Sequence, residues 1–374
     1  MSNITVVSVS EHLLARAARR GIDGGMAVAL DYGDVNAEWV ALDTGAAIVD
    51  RSARRLIEVT GDERADFLHG QVTADVRGLV AGVGAAAAVL SAQGKALGLF
   101  SVFAEGERLL LASDTASSSN LREALERFLV ADDCEFEDLD PGDGLGLIGP
   151  CAGELLAGLG VVISAGWSIG RATLADTPLL VFSRGDLRVP SFELIPEDPD
   201  ADLVPVFTVL EAAGAVLVGR DAEEVLRIES GTARYGVDID EGRLVVEARL
   251  EWAIHFNKGC YVGQEVVERA VSRGRLNREL VLLNLASDQS APWQLLAGSS
   301  SCGVKPGDSI AGGNEKNVVT SVAVSPRLGP VALAYVGKDS TGQGAEVAID
   351  TAAGQVSATV LAWPRQRRLA GRDG

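Results

Sequence analysis

Residues 257–265 read Asn257-Lys258-Gly259-Cys260-Tyr261-Val262-Gly263-Gln264-Glu265, and this stretch decides how the rest of the chain is read. A cysteine stands close to a lysine, just ahead of a helix start expected near Gly263. An ammonium group and a helix N-terminus both stabilise negative charge on sulfur, so Cys260 is a candidate reactive thiol and Lys258 its tuner. The glycines let the backbone turn tightly and approach a ligand. A single cysteine in a loop is more often a small buried hydrophobe. The complete word, rather than the cysteine within it, sets this position apart.

Working outward, Asp221 and Glu224 form a capping-box pattern that opens a helix running toward Gly231. Residues 203–213 read as helix up to Gly214, and 176–196 as strand. Further back, residues 55–60 read as a strand, with Asp62 as N-cap of a helix carrying Phe67 and Leu68. Residues 85–90, 96–103 and 108–112 read as three strands joined by turns at Gln93-Gly94 and Glu105-Gly106. Leu121, Leu125, Phe128 and Leu129 make one helical stripe with serines before it. Strands and helices come in mixed order, which is α+β rather than a doubly wound sheet. Beyond Arg278 the chain turns into short valine-rich segments punctuated by glycine, the pattern of a small β-barrel. The boundary falls near Ala286, giving regions 1–285 and 286–374.

Composition narrows the function classes. The 374 residues are 47% hydrophobic and carry a net charge of −19, which disfavours nucleic-acid phosphates and anionic membrane surfaces as direct stable partners. Four cysteines (Cys134, Cys151, Cys260, Cys302) and three histidines lie too far apart for a disulfide framework or a resident metal site. No stretch has the length of a membrane-spanning helix. Residues 11–20 are arginine-rich and amphipathic, but a stop at Gly21 reads as an ordinary helix end, and a cytoplasmic, reducing location is expected. Gly82-Val83-Gly84-Ala85-Ala86-Ala87 precedes a strand instead of following one, and Gly94-Lys95 lacks the following hydroxyl. Neither supports a nucleotide cofactor.

The word Lys-Gly-Cys-Tyr-x-Gly-Gln-Glu resembles the signature of the YgfZ family of folate-binding proteins, relatives of the glycine-cleavage T-protein. Leu226-Arg227-Ile228-Glu229-Ser230-Gly231 and Arg234-Tyr235-Gly236-Val237-Asp238 are similar to a segment shared with the T-protein. Phe67 to Val76, Ser91 to Lys95 and Thr320 to Val336 resemble further landmarks, so the likeness extends from about Ala37 to Trp363. It implies a ring of two interleaved mixed α/β modules, related to ferredoxin-like folds, plus a C-terminal β-barrel around a tetrahydrofolate site. It implies that Glu229 binds the pterin edge, where one carboxylate can accept two parallel hydrogen bonds. It also places Arg227, Tyr235, Tyr261, Gln264, Glu265 and Arg278 near the cofactor. Arg269, Arg273, Arg275 and Arg278 form a basic cluster that either meets folate carboxylates or balances local acid.

The departure from the T-protein carries equal weight. Where that family has an aspartate pair serving the transfer, this chain reads Gly94-Lys95-Ala96-Leu97-Gly98-Leu99, without a carboxylate for general acid–base work. The resemblance therefore implies a tetrahydrofolate-dependent accessory protein for maturation or repair of iron–sulfur proteins, including tRNA-modifying enzymes, with those proteins or their assembly factors as partners. The alternatives are a folate-dependent aminomethyltransferase or demethylase, and a folate-free adaptor.

Overall fold

The structure is a computed structural model that describes residues 8–139, 142–272, 276–286 and 303–364. Its first sheet has five strands in the order Gly84–Leu90, Ala96–Glu105, Arg108–Asp114, Arg54–Thr60, Glu135–Leu139. Side chains alternate across it as a period of two requires. Leu109 and Leu111 join Ile57, Val89 and Val102 under the helices Arg64–Gln71 and Thr115–Glu126. Leu110 and Ala112 face the other way, onto Ile169, Leu180, Phe182 and Ile195 of the second sheet. The Phe103 and Phe182 rings meet there edge to face, 5.1 Å between centroids.

That second sheet runs Ser168–Leu174, Thr177–Arg184, Ser191–Pro196, Leu145–Ile148, Ala47–Asp50, Val216–Leu217. The whole first sheet is inserted between its strands Ala47–Asp50 and Leu145–Ile148, so the two mixed sheets are interleaved in sequence. The third sheet has six strands, ordered Ser309–Ile310, Glu346–Thr351, Gly354–Val360, Arg278–Leu285, Gly329–Gly337, Val319–Ser325. It begins at Arg278, ahead of the boundary expected near Ala286.

The C-terminal sheet curls until its two edges approach each other. Its outer strand Ser309–Ile310 is two residues long and meets the opposite edge through the isolated bridge Ser309–Val318. Several expectations are corrected. Asp62 does not cap the helix Arg64–Gln71, whose N-cap is Glu63, and the Asp62 amide donates to Asp133 instead. The helix expected from Asp221 begins one residue earlier, as Arg220–Glu229 with Gly219 as its N-cap. Asp221 accepts from Arg19, and Glu224 grips Arg227, so neither side chain caps. The helix Thr115–Glu126 buries Leu121 and Leu125 but ends before Phe128, which is exposed. Its serines lie inside the helix. Gly21 sits in the strand Arg19–Asp23, since the preceding helix Val9–Arg16 has already ended.

The helix Arg220–Glu229 occupies the centre. Val225, Leu226 and Ile228 are wholly buried in the largest core, with Leu42, Val49, Leu333 and Tyr335. At its C-terminal end Glu229, 0% exposed, ties the modules together. Ser325 donates to Oε1, while Arg188 and Arg327 reach Oε2 at 3.0 and 3.2 Å, and Arg188 also pairs with Asp43 at 2.6 Å. Because Glu229 is buried and its partners are partly exposed, replacing it strands cations that water can partly recover. Glu229→Ala should lower unfolding free energy by about 2–4 kcal/mol in urea titration, and a change below about 0.5 kcal/mol would contradict this bridging role.

Candidate functional site

A cavity of about 450 Å³ lies between the first two sheets, the central helix and an N-terminal hairpin, within the usual range for small-molecule sites of ~300–1,000 Å³. On its wall the strand Ser191–Pro196 presents Glu193, 1% exposed. Its Oε1 receives Arg54, Arg184 at 3.1 Å and Arg51 at 3.5 Å. Its Oε2 is buried without a hydrogen-bond partner. Burial alone would raise the Glu193 pKa, but Arg54, Arg184 and Arg51 outweigh it and hold the carboxyl below its ordinary value. The result is an anion with one buried oxygen left unpaired, an arrangement that native interiors rarely leave unfilled.

Two of the other carboxylates on the wall, Glu223 and Asp114, are held in the same sense. Glu223 is opposed by burial yet pulled down to about 2 by Arg51 and Arg220, with contacts of 2.5 and 3.0 Å. Desolvation opposes the Asp114 charge only in part, since its side chain is 61% exposed, and Arg54, its 2.5 Å partner, holds it far below the carboxylate range. Such groups can orient a cation or an N–H. They cannot donate a proton near neutral pH and are weak bases. Trp167 and Trp252 complete an aromatic wall, stacked 5.9 Å apart with an 11° tilt. Leu99, Phe100 and Ser101 line the cavity beside the strand position where the sequence lacks a carboxylate.

Of the residues singled out from sequence, Arg227 and Tyr235 line this cavity. Arg227 has little left to offer a ligand. Its five N–H groups donate to Glu224 twice, Asp238, the Thr232 carbonyl and Ser321, at 2.5–2.9 Å. Glu229 lies outside the cavity wall, enclosed by the partners described above.

The remaining residues gather elsewhere. Cys260 is exposed, four residues ahead of the helix Gln264–Ser272. Gly263 (φ +84°) passes so close to the 91–94 turn that a Cβ would stand 2.6 Å from the Ser91 carbonyl. His69 Nε2 donates to the Lys258 carbonyl at 2.9 Å, and the Lys258 ammonium donates to the carbonyls of His69 and Val72. The three separate motif stretches thus meet around the cysteine. Lys258 itself caps the C-terminal end of the helix Arg64–Gln71, where a cation suits the dipole, instead of being free to attend the sulfur. Tyr261 is buried, and burial pushes its hydroxyl well above the ordinary value. Gln264 bonds Glu268 at 2.5 Å, Glu265 pairs with Arg269 on the exposed helix face, and Arg278 is buried against Glu247 at 3.2 Å. Arg273, Arg275 and Cys302 lie outside the described residues.

Sequence reasoning passed over Glu193, Arg51, Arg54, Arg184 and Trp167. One signal was present. Glu193 stands between Phe192 and Leu194 in a strand buried at every residue, a place where a carboxylate is found only with partners.

Residues 9–258 match the family described as the GCVT N-terminal domain. A chloroplastic Arabidopsis thaliana protein carrying a transferase name is 29% identical over 252 residues, 66% of this chain and 58% of its own length. An aminomethyltransferase of Streptomyces coelicolor is 27% identical over 360 residues, 92% of each chain. The crystal structure of glycine cleavage system aminomethyltransferase T from Bartonella henselae superimposes with a TM-score of 0.81 at 22% identity, covering 96% of this chain and 98% of that one.

The thiols should separate by exposure. Burial pushes Cys134 up to about 11, so iodoacetamide at neutral pH should label Cys260 at least about tenfold faster than Cys134; equal rates would contradict the placement. Burial lowers Lys258 to about 8 from an ordinary 10.5, so the unfolded chain binds more protons between those values. Stability should therefore gain from Lys258 as pH rises from about 8 to 10.5. Lys258→Met should remove that gain while leaving Cys260 labelling unchanged, as read by thermal melts across pH and by mass mapping.

Proposed function

Because the chain belongs to the GCVT N-terminal domain family, whose enzymes use tetrahydrofolate, we propose that the central cavity binds a tetrahydrofolate and that the protein acts with it as an accessory factor, without aminomethyl transfer. The observation that carries the binding half is the unpaired Oε2 of Glu193 on the cavity wall. A pterin presents an N–H and an exocyclic amine along one edge, and Oε2 can accept from one of them while Oε1 stays with the arginines. Trp167 and Trp252 supply flat surface for the ring system. Glu193, rather than Glu229, is the pterin anchor in this reading, since of the two carboxylates Glu193 is the one that lines the cavity and keeps an unpaired oxygen. The folate would bring a one-carbon carrier into the cavity.

The accessory half rests on the charge state of the walls. Aminomethyl transfer needs a group that moves a proton at the reacting nitrogen, and the arginine-held carboxylates Glu193, Glu223 and Asp114 are unsuited to it. The exposed Cys260, with its YgfZ-like surroundings, supports a role toward iron–sulfur proteins or their assembly factors, including those of tRNA-modifying enzymes. An aminomethyltransferase reading keeps some weight, because relatives of that name match over nearly the whole chain.

Tetrahydrofolate should raise the melting temperature by mass action, and Glu193→Gln should weaken its binding at least about tenfold, the loss expected for a charge-assisted hydrogen bond. Glu229→Ala should keep the ligand-induced rise, although its own melting point is lower. A wild type indifferent to tetrahydrofolate would refute the reading. With glycine and a loaded lipoyl carrier, methylenetetrahydrofolate should not form; turnover near once per second, ordinary for enzymes, would restore the transferase.

A further inference from the structure

The N-terminal hairpin, strands Arg19–Asp23 and Met26–Asp31, is a two-stranded sheet that joins none of the larger sheets. Asp23, Gly24, Met26, Ala27, Val28 and Ala29 nevertheless form one wall of the central cavity. Its two ends are held in different ways. At the base, Gly219 approaches so closely that a Cβ would stand 2.4 Å from the Leu30 carbonyl oxygen. Glu38, 3% exposed, accepts from the amides of Tyr32 and Gly219 at 2.7 and 2.8 Å, clamping the base to the central helix. The base also carries Arg19, whose guanidinium spans Asp31 and Asp221.

The tip has no such clamp. Ile22 is 73% exposed, and the Gly24-Gly25 turn has open space around it. What fastens the tip is Asp23, which reaches Arg220 at 2.7 Å and Arg234 at 3.5 Å across the cavity rim. These side chains are 37%, 28% and 21% exposed. Pairs this wet shift an equilibrium by at most about fivefold each, enough to favour one position without fixing it.

We propose that hairpin 19–31 is a lid on the central cavity, hinged at its base near Leu30 and Asp31 and latched at its tip by Asp23 on Arg220 and Arg234. Closed, it completes the wall and excludes water. Open, it frees a path for a ligand to the Glu193 side. Breaking the latch changes the rate of passage in both directions and leaves the Glu193 contacts intact. The lid's relevance to folate rests on the function proposed above, so the test has one arm that needs no folate.

In the full chain, Ser113→Cys places a thiol on the cavity wall at a site 2% exposed. Maleimide labelling at residue 113, mapped by mass spectrometry to separate it from the native cysteines, reports opening. Adding Asp23→Asn should speed that labelling about fivefold or more, and 0.5 M salt should speed the Asp23 parent while barely affecting the Asp23→Asn protein. In stopped-flow fluorescence Asp23→Asn should accelerate both association and release of tetrahydrofolate, with the dissociation constant changed less than about threefold. Labelling at 113 that ignores both the substitution and salt overturns the lid. Failure of tetrahydrofolate to bind overturns the functional reading, while the labelling result still decides the lid.

Discussion

The helix Arg220–Glu229 carries six charged side chains through the middle of the protein, and the modules are assembled around their partners. Arg220 and Asp221 take Asp23 and Arg19 of the hairpin. Glu223 takes Arg51, next to the first sheet. Arg227 joins Glu224 to Asp238 and to Ser321 of the C-terminal sheet, and Glu229 gathers Arg188, Ser325 and Arg327. Buried ions are costly unless every one is paired. A helix with this many can be buried only if each module arrives in register with its own counter-charge. The constraint is thus geometric as much as energetic, and it fixes where the cavity lies between the modules.

The same pairing explains what the cavity is suited to do. Catalytic acids and bases need pKa values near working pH, which enzymes obtain by burial and like-charge neighbours. Here arginines overwhelm the burial effect at Glu193 and Glu223 and also hold the exposed Asp114 downward. The walls are suited to recognition: fixed charges, an unmatched carboxylate oxygen and two stacked indoles. The exposed thiol stands at a different place, where the Cys260 loop is pinned by His69, Lys258 and the close passage of Gly263. The cavity and the exposed thiol are separate places on one scaffold.

Much of this was legible in the sequence because local signals and tertiary structure agreed. The strands at 84–90, 96–105 and 108–114 follow from alternation and turn residues, and the motif stretches that pointed to the family meet around Cys260. Other signals misled for identifiable reasons. The Asp221/Glu224 pattern is also the spacing of an ion-pair ladder, and Arg19 and Arg227 claimed those carboxylates. Glu229 and Arg227, which the shared segment places at the cofactor, are buried at the joints between modules. Glu193 was overlooked since its meaning depends on Arg51, Arg54 and Arg184, which are remote in sequence and converge only when the two sheets pack.

The measurement that bears most directly on this account is a crystal structure of the full chain with tetrahydrofolate. The account predicts the pterin edge within hydrogen-bond distance of Glu193 Oε2, the ring beside Trp167 or Trp252, and Glu229 still enclosed by Arg188, Ser325 and Arg327. A pterin held by Glu229, or bound outside the cavity with Glu193 Oε2 still unmatched, would contradict it.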